Sequence, residues 1–178
     1  LRFAITNCIT GTGSTNAITQ VLDKRYSGIY QNPNKLVTFI DNHDVERLLS
    51  QVSSSELVKA AYSMIMTLPG VPQVYYGAEQ GFKESSRSAM FASGLSVYGV
   101  AQSTDHFDET NSWYVFFKNL NALRLSKDVY RYNRVNVIKD TTSSSGLFAY
   151  VATQRNKEDT SDVTGLESKI VYILNTSS

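Results

Sequence analysis

Hydrophobic positions along the chain fall into two textures. Up to about residue 128 they recur at helical spacing or in short unbroken runs, and beyond about 132 they alternate. Residues 1–30 read as mainly helical, with Ile18, Val21, Leu22, Arg25 and Tyr26 at helical spacing behind the candidate caps Ser14, Thr15 and Asn16. Pro and Asn cluster over Tyr30–Asn34 and predict a turn. Leu36–Ile40 follows as a continuous apolar run, the pattern of a short parallel strand covered on both faces.

Leu57, Ala60, Ala61, Met64, Ile65 and Leu68 then mark a strong amphipathic helix. Ser54 or Ser55 is placed to cap it, and Pro69-Gly70 ends it. Val71–Tyr76 is a second short apolar strand. Strand, helix and strand joined by short links form a βαβ unit, which requires a parallel pair. Residues 77–109 carry weak periodicity, and a connection of that length in a compact domain is usually functional. Trp113, Phe116, Phe117, Leu120 and Leu123 predict a further helix, ending near Lys127. Three extended segments close the chain: Asn133–Lys139, Gly146–Thr153 and Lys169–Asn175. Polar turns at Thr141–Ser145 and Gln154–Ser168 separate them, which suits an antiparallel sheet.

With 178 residues, 42% hydrophobic and 19% charged, the composition is that of a folding chain. Seventeen basic and sixteen acidic residues are scattered, giving a net charge of +1 and no basic stripe, so nucleic acid is not an expected partner. No apolar run is long enough to span a membrane as a helix. Cys8 is the only cysteine, which excludes an internal disulfide or a CxxC metal site. The start at Leu1-Arg2-Phe3 and the polar end after Leu174 suggest a piece of a longer polypeptide.

The candidate chemistry lies where the apolar run Leu36–Ile40 breaks off into Asp41-Asn42-His43-Asp44. Asn and Asp after a strand form turns readily, so four polar residues alone have a purely local explanation. The next strand ends in Tyr75-Tyr76-Gly77, and in a barrel of parallel strands both places face the rim that carries active sites.

The stretch Phe39-Ile40-Asp41-Asn42-His43-Asp44 resembles the F-x-x-N-H-D signature of the α-amylase family of glycoside hydrolases. The segment from Leu57 through "LPGVPQVYYGAEQ" is similar to that family's seventh helix and eighth strand. "FFKNLNALRLSKDVY" is similar to its eighth helix, and the overall look is nearest to cyclodextrin glucanotransferase-like amylases. The resemblance covers roughly residues 1–175. It implies an α/β fold: the last βα units of a (β/α)8 barrel over residues 1–130, then part of a C-terminal antiparallel β-sandwich domain over 131–178. It implies a retaining enzyme acting on α-1,4-glucans such as starch. Such an enzyme uses a nucleophilic carboxylate and an acid/base that would lie upstream of this chain. Asp44 is then the carboxylate that grips the sugar and stabilises the oxocarbenium-like state. His43 and Arg87 bind substrate, and Asp41, Asn42 and Arg47 support the loop, Arg47 through an ion pair.

The family's usual Asp-Pro before the residue at Arg87 is replaced here by Lys83-Glu84-Ser85-Ser86. Tyr75 and Tyr76 read as packed strand residues, Glu79 as a loop brace, Trp113 as core and His106 as solvated surface. No cofactor and no metal site is assigned to this chain; Asp105, His106 and Asp108 form only a chance-level metal spacing. For a complete enzyme the resemblance implies calcium, with ligands upstream. Asn175-Thr176-Ser177 is a glycosylation sequon only in a secreted eukaryotic protein. Expected partners are the α-glucan and either the remainder of the polypeptide or a second copy, since two or three strands cannot close a barrel. The chain alone is expected to be inactive. A polymeric substrate points to an extracellular or cell-surface location. The alternatives are a related α-glucosyl transferase or isomerase, or a non-catalytic amylase-like carbohydrate-binding or scaffold protein.

Overall fold

The computed structural model describes residues 1–84, 87–92, 103–143, 146–156 and 168–176. Ser85 and Ser86, residues 93–102 of the long connection, Ser144 and Ser145, residues 157–167 and Ser177 of the sequon lie outside the described residues. Two helices open the chain, α1 (Arg2–Ile9) and α2 (Asn16–Tyr26). Strand β1 (Val37–Phe39) is followed by α3 (Leu48–Gln51), α4 (Ser55–Thr67) and β2 (Val71–Gln73). Helix α5 (Ser112–Ser126) leads to β3 (Asn133–Lys139), β4 (Leu147–Gln154) and β5 (Lys169–Asn175). The architecture is mixed α/β. β1 and β2 pair in parallel with Val37 opposite Val71, and β3-β4-β5 form an antiparallel sheet.

Helix α4 sits at the centre because its apolar residues go nearly all the way round. Val58, Ala61, Tyr62, Met64, Ile65 and Met66 are buried, and the helix contacts α1, α5 and β5. Ser54 caps it, its hydroxyl accepting from the Leu57 amide at 3.3 Å. Its C-terminal carbonyls are gathered by two arginines from elsewhere in the chain. Arg124 donates to the carbonyls of Met66 and of Gly70 (2.7 Å), and also to that of Tyr130 at 2.6 Å. Arg25 donates to the carbonyl of Pro69. A cation at a helix C-terminus also complements the helix dipole. Burial lowers the Arg124 pKa to about 10, so the group remains charged at neutral pH.

The antiparallel sheet shares this core. The Tyr150 hydroxyl hydrogen-bonds that of Thr67 at 2.5 Å, Tyr172 donates to the Ala60 carbonyl at 2.8 Å, and Asn133 donates to the Thr67 carbonyl at 3.1 Å. One apolar cluster runs from Ile5 through α4 to Leu174.

Three expectations are corrected. Thr15 occupies the start of α2 but does not cap it; its hydroxyl is held by Thr141 and by the carbonyl of Leu147, which draws the helix start onto the sheet. β1 is not covered on both faces, since Val37 and Val71 are exposed and only β2 flanks it among the described residues. β2 stops at Gln73, because the chain turns toward Gly77 and the pairing partner β1 has already ended.

Gly70 joins α4 to β2 at φ +129°, a conformation natural only to glycine, and a Cβ there would stand 2.6 Å from the Leu36 carbonyl oxygen. That same oxygen accepts the Val71 amide at 2.8 Å, which begins the parallel pairing. Gly70→Ala is therefore expected to destabilise the fold by about 2 kcal/mol or more. Chemical denaturation measures this, and an unchanged midpoint would contradict the role given to the turn.

Candidate active site

Immediately past β1 the backbone folds on itself. The Asn42 side-chain oxygen accepts the Asp44 amide at 2.9 Å, an Asx turn that fixes the direction of the next residues. His43 and Asp44 project outward from it, their side chains 58% and 64% exposed. One Asp44 oxygen lies 3.1 Å from His43 Nε2 and the other 3.2 Å from an Arg87 guanidinium nitrogen. Arg87 also donates from Nε to the His43 carbonyl at 3.1 Å, so it ties both the backbone and the carboxylate of the loop. A carboxylate has about four lone-pair positions. Two are engaged among the described residues, which leaves acceptor capacity on each oxygen for an incoming hydroxyl. The His43 ring leans toward Tyr75, 6.5 Å between centroids.

Beneath this surface lies a buried frame. Asp41 is 3% exposed and accepts the Tyr62 hydroxyl at 3.0 Å and the Leu48 amide at 3.3 Å. Arg47 is 1% exposed. It donates to the Tyr76 carbonyl at 2.7 Å, and its guanidinium carbon stands 4.5 Å from the Tyr75 ring centre and 5.4 Å from that of Tyr76. A desolvated cation–π contact of this kind contributes about 2 kcal/mol. The guanidinium thus bridges the loop after β1 and the turn after β2. The Asp41 carboxyl also feels the charge of Arg47. Gly77 allows the turn itself: its φ is +81°, and a Cβ would collide with the Phe82 ring at 2.4 Å.

Tyr75 and Tyr76, read from sequence as strand residues, lie past the end of β2, and Tyr76 is exposed. Burial, with a hydrogen bond to Tyr76, raises the Tyr75 phenol to about 12. His106 is not simply solvated; its ring meets Phe82 edge-on at 4.9 Å and its amide donates to the Met90 carbonyl at 2.8 Å. Asp105 accepts the Ala92 amide at 2.8 Å, which makes it a loop brace. Trp113 is partly buried and packs on Gly81, where a Cβ would meet the indole at 2.7 Å. Glu79 lines a cleft with Phe117 and Leu125.

The structure thus brings Asn42, His43, Asp44 and Arg87 together on the surface, and Asp41 and Arg47 under them. Sequence reading missed Tyr62 as the donor to Asp41, and Arg2, which donates to the Ile40 carbonyl at 3.0 Å. The available signal was a hydroxyl-bearing Tyr62 on the apolar face of a helix. Among the described residues no group of three His, Cys, Asp or Glu side chains could hold a metal ion, so the calcium implied for a complete enzyme has no ligand set in them.

Comparison with known proteins agrees with the sequence motifs. Residues 12–164 match the family model described as the α-amylase catalytic domain. α-Amylase 2 of Schwanniomyces occidentalis is 32% identical over 129 residues, covering 70% of this chain and 22% of that protein. The cyclomaltodextrin glucanotransferase of Paenibacillus macerans is 31% identical over 149 residues, covering 79% of this chain and 19% of that protein. The crystal structure of CldA, a cyclomaltodextrin glucanotransferase with a three-domain ABC distribution, superposes with a TM-score of 0.64 at 28% identity over 87% of this chain and 31% of that one. A maltogenic α-amylase from Thermotoga neapolitana shares the fold, with a TM-score of 0.66 at 20% identity over 96% of this chain and 35% of that one. The chain spans about a fifth of the length of these curated relatives.

Burial pushes the Asp41 carboxyl above its ordinary value of 3.8, against the opposing pull of Arg47, the Leu48 amide, Tyr62 and Arg2. A raised value means that the fold favours the proton. That contribution is complete below the unfolded value and is lost as pH rises through the folded one. Stability should therefore fall as pH climbs through the acidic range above 3.8. Tyr62→Phe removes a donor to the ionised carboxylate. It should deepen that fall and cost about 1–3 kcal/mol near neutral pH. Urea denaturation across pH measures both effects; a variant with the wild-type profile would contradict the Asp41–Tyr62 pairing.

Proposed function

The chain belongs to the α-amylase family, and from that premise we propose that it is the carboxyl-terminal part of a retaining glycoside hydrolase acting on the α-1,4 bonds of starch and maltooligosaccharides. In this reading residues 1–130 supply the last βα units of a (β/α)8 barrel, and residues 131–178 begin a C-terminal β-sandwich domain. The parallel β1–β2 pair with its crossover helix α4 supports the first part, and the β3-β4-β5 sheet supports the second.

The observation that carries the chemical reading is the exposed Asp44 carboxylate, held from two sides by Arg87 and His43 past the end of β1. It binds hydroxyls of the sugar whose bond is broken. As positive charge develops on the ring, the hydrogen bonds from those hydroxyls to a fixed anion strengthen. Because Arg87 and His43 already hold the carboxylate, little reorganisation is needed at that moment. His43 presents its ring to a neighbouring hydroxyl, and Arg87 acts chiefly by fixing Asp44. The nucleophile and the proton donor come from outside the motifs of this chain, so the 178 residues by themselves are inactive. A polymeric substrate places the enzyme outside the cell or at its surface.

A second reading is favoured by the cyclomaltodextrin glucanotransferases among the relatives: transfer of the glucosyl chain to a sugar hydroxyl in place of water. Product analysis on a maltooligosaccharide separates the two. Hydrolysis yields new reducing ends, and transfer yields rearranged or cyclic glucans.

Asp44→Asn in the complete polypeptide is expected to lower kcat by about 10²–10³-fold. With the side chain 64% exposed, the thermal midpoint should hardly move. Steady-state kinetics and a melting curve test this; a kcat within a few-fold of wild type would contradict the role given to Asp44.

A further inference from the structure

The connection between β2 and α5 is longer than a tie between two elements needs, and its described residues carry more than Arg87. Two short stretches of it run side by side. The His106 amide donates to the Met90 carbonyl at 2.8 Å, and the Ala92 amide donates to an Asp105 carboxylate oxygen at 2.8 Å. Phe91 and Phe107 meet on this paired edge, their ring centres 5.0 Å apart and their planes inclined by 56°. They are 58% and 56% exposed, so contact with each other leaves more than half of each residue in water. Single apolar side chains scattered over a surface are ordinary; two aromatic rings clamped together form a patch.

The pair is fastened at its base. The His106 ring meets the buried Phe82 ring edge-on at 4.9 Å, and Phe82 in turn stands 5.8 Å from the Arg47 guanidinium carbon. Just past Phe107, the Asp108 amide donates to Gln80 Oε1 at 3.1 Å, and Gln80 Nε2 donates to the Asp108 carbonyl at 3.2 Å. The two rings therefore stand on the same frame as the Asp44 loop. They are also near it along the chain. Phe91 is four residues from Arg87, a span of no more than about 14 Å between α-carbons. Arg87 itself lies 3.2 Å from the Asp44 carboxylate.

Whatever covers this patch must present an apolar face and match a polar border. Thr104 and Asp105 before Phe107, and Asp108 and Glu109 after it, are exposed. Asp105 spends one oxygen on the Ala92 amide and keeps the other as an acceptor among the described residues. An apolar protein face laid here would desolvate these groups without replacing their hydrogen bonds. A pyranose has C–H groups on its faces and hydroxyls around its rim. Its face packs on an aromatic ring while its hydroxyls donate to a carboxylate. We propose that Phe91 and Phe107 form a platform for a glucose unit of the α-glucan, a few units along the chain from the sugar held at Asp44. The platform makes the enzyme favour longer chains. The proposal rests on the glucan reading and deepens it: one connection fixes Asp44 through Arg87 and holds the rest of the substrate through its two phenylalanines.

Steady-state kinetics of the complete polypeptide on the series from maltotriose to maltoheptaose test the proposal. The readout is the gain in kcat/KM from the shortest sugar turned over to maltoheptaose. Replacing both phenylalanines, Phe91→Ala with Phe107→Ala, is expected to cut that gain about tenfold, the loss of one stacked sugar. Phe91→Tyr with Phe107→Tyr should keep it. Phe91→Leu with Phe107→Leu, apolar but without a flat face, should fall between. Both rings are exposed, so the melting midpoint should be retained in all three. The platform is overturned if the alanine pair lowers kcat/KM in the same proportion for every chain length, or if the leucine pair keeps the wild-type gain. It is equally overturned if the alanine pair melts markedly lower or changes the oligomeric state, since the rings then cover another part of the polypeptide or a second copy. A wild type that turns over no maltooligosaccharide overturns the glucan reading and this proposal with it. An active wild type whose gain survives the alanine pair overturns the platform alone.

Discussion

One buried guanidinium organises the region that the motifs single out. Arg47 is enclosed to 1% exposure, and it reaches from the loop after β1 to the backbone of the turn after β2. A charge removed from water needs compensation, and here a carbonyl oxygen, two tyrosine faces and the nearby Asp41 carboxyl contribute to it. The Asn42–Asp44 turn is continuous with this frame through Asp41 on one side and Arg47 on the other. The surface group of His43, Asp44 and Arg87 is therefore mounted on a rigid base, although all three side chains face solvent.

The same device recurs one layer down. The C-terminus of α4 is held by Arg25 from α2 and by Arg124 from α5, each arriving from a distant part of the chain. On the other side the helix is met by the antiparallel sheet through Tyr150, Tyr172 and Asn133. The helix between the two parallel strands is thus fixed at its end and along its flank. The strand ends that flank the Asp44 loop follow from where α4 sits.

What the sequence revealed follows from how local each signal is. The 3.6-residue spacing of α4 and the Pro69-Gly70 stop concern neighbours in the chain, and both elements were legible within a residue or two. The order β1, α4, β2 was enough to require parallel pairing. The clustering of Asn42, His43 and Asp44 is contiguous, so it could be read directly. Burial of Arg47 and the carbonyl targets of Arg25 and Arg124 depend on partners 29 to 58 residues away, and no periodicity announces them. Thr15 looked like a cap because its type suits one; a partner 126 residues distant claimed its hydroxyl. The exposure of Val37 was hidden for the opposite reason. An apolar run predicts what a strand seeks to cover it, and only β2 does so among the described residues.

The Asp44 loop is therefore braced from below by a residue that is 1% exposed. For the proposed function, the most direct test is kcat on a maltooligosaccharide for Arg47→Met in the complete polypeptide, at a temperature where circular dichroism shows it folded. Methionine preserves most of the volume and removes the charge and the hydrogen bond to Tyr76. A loss of about tenfold or more is expected, as misplaced positioning groups give. A folded Arg47→Met enzyme with wild-type kcat would contradict it.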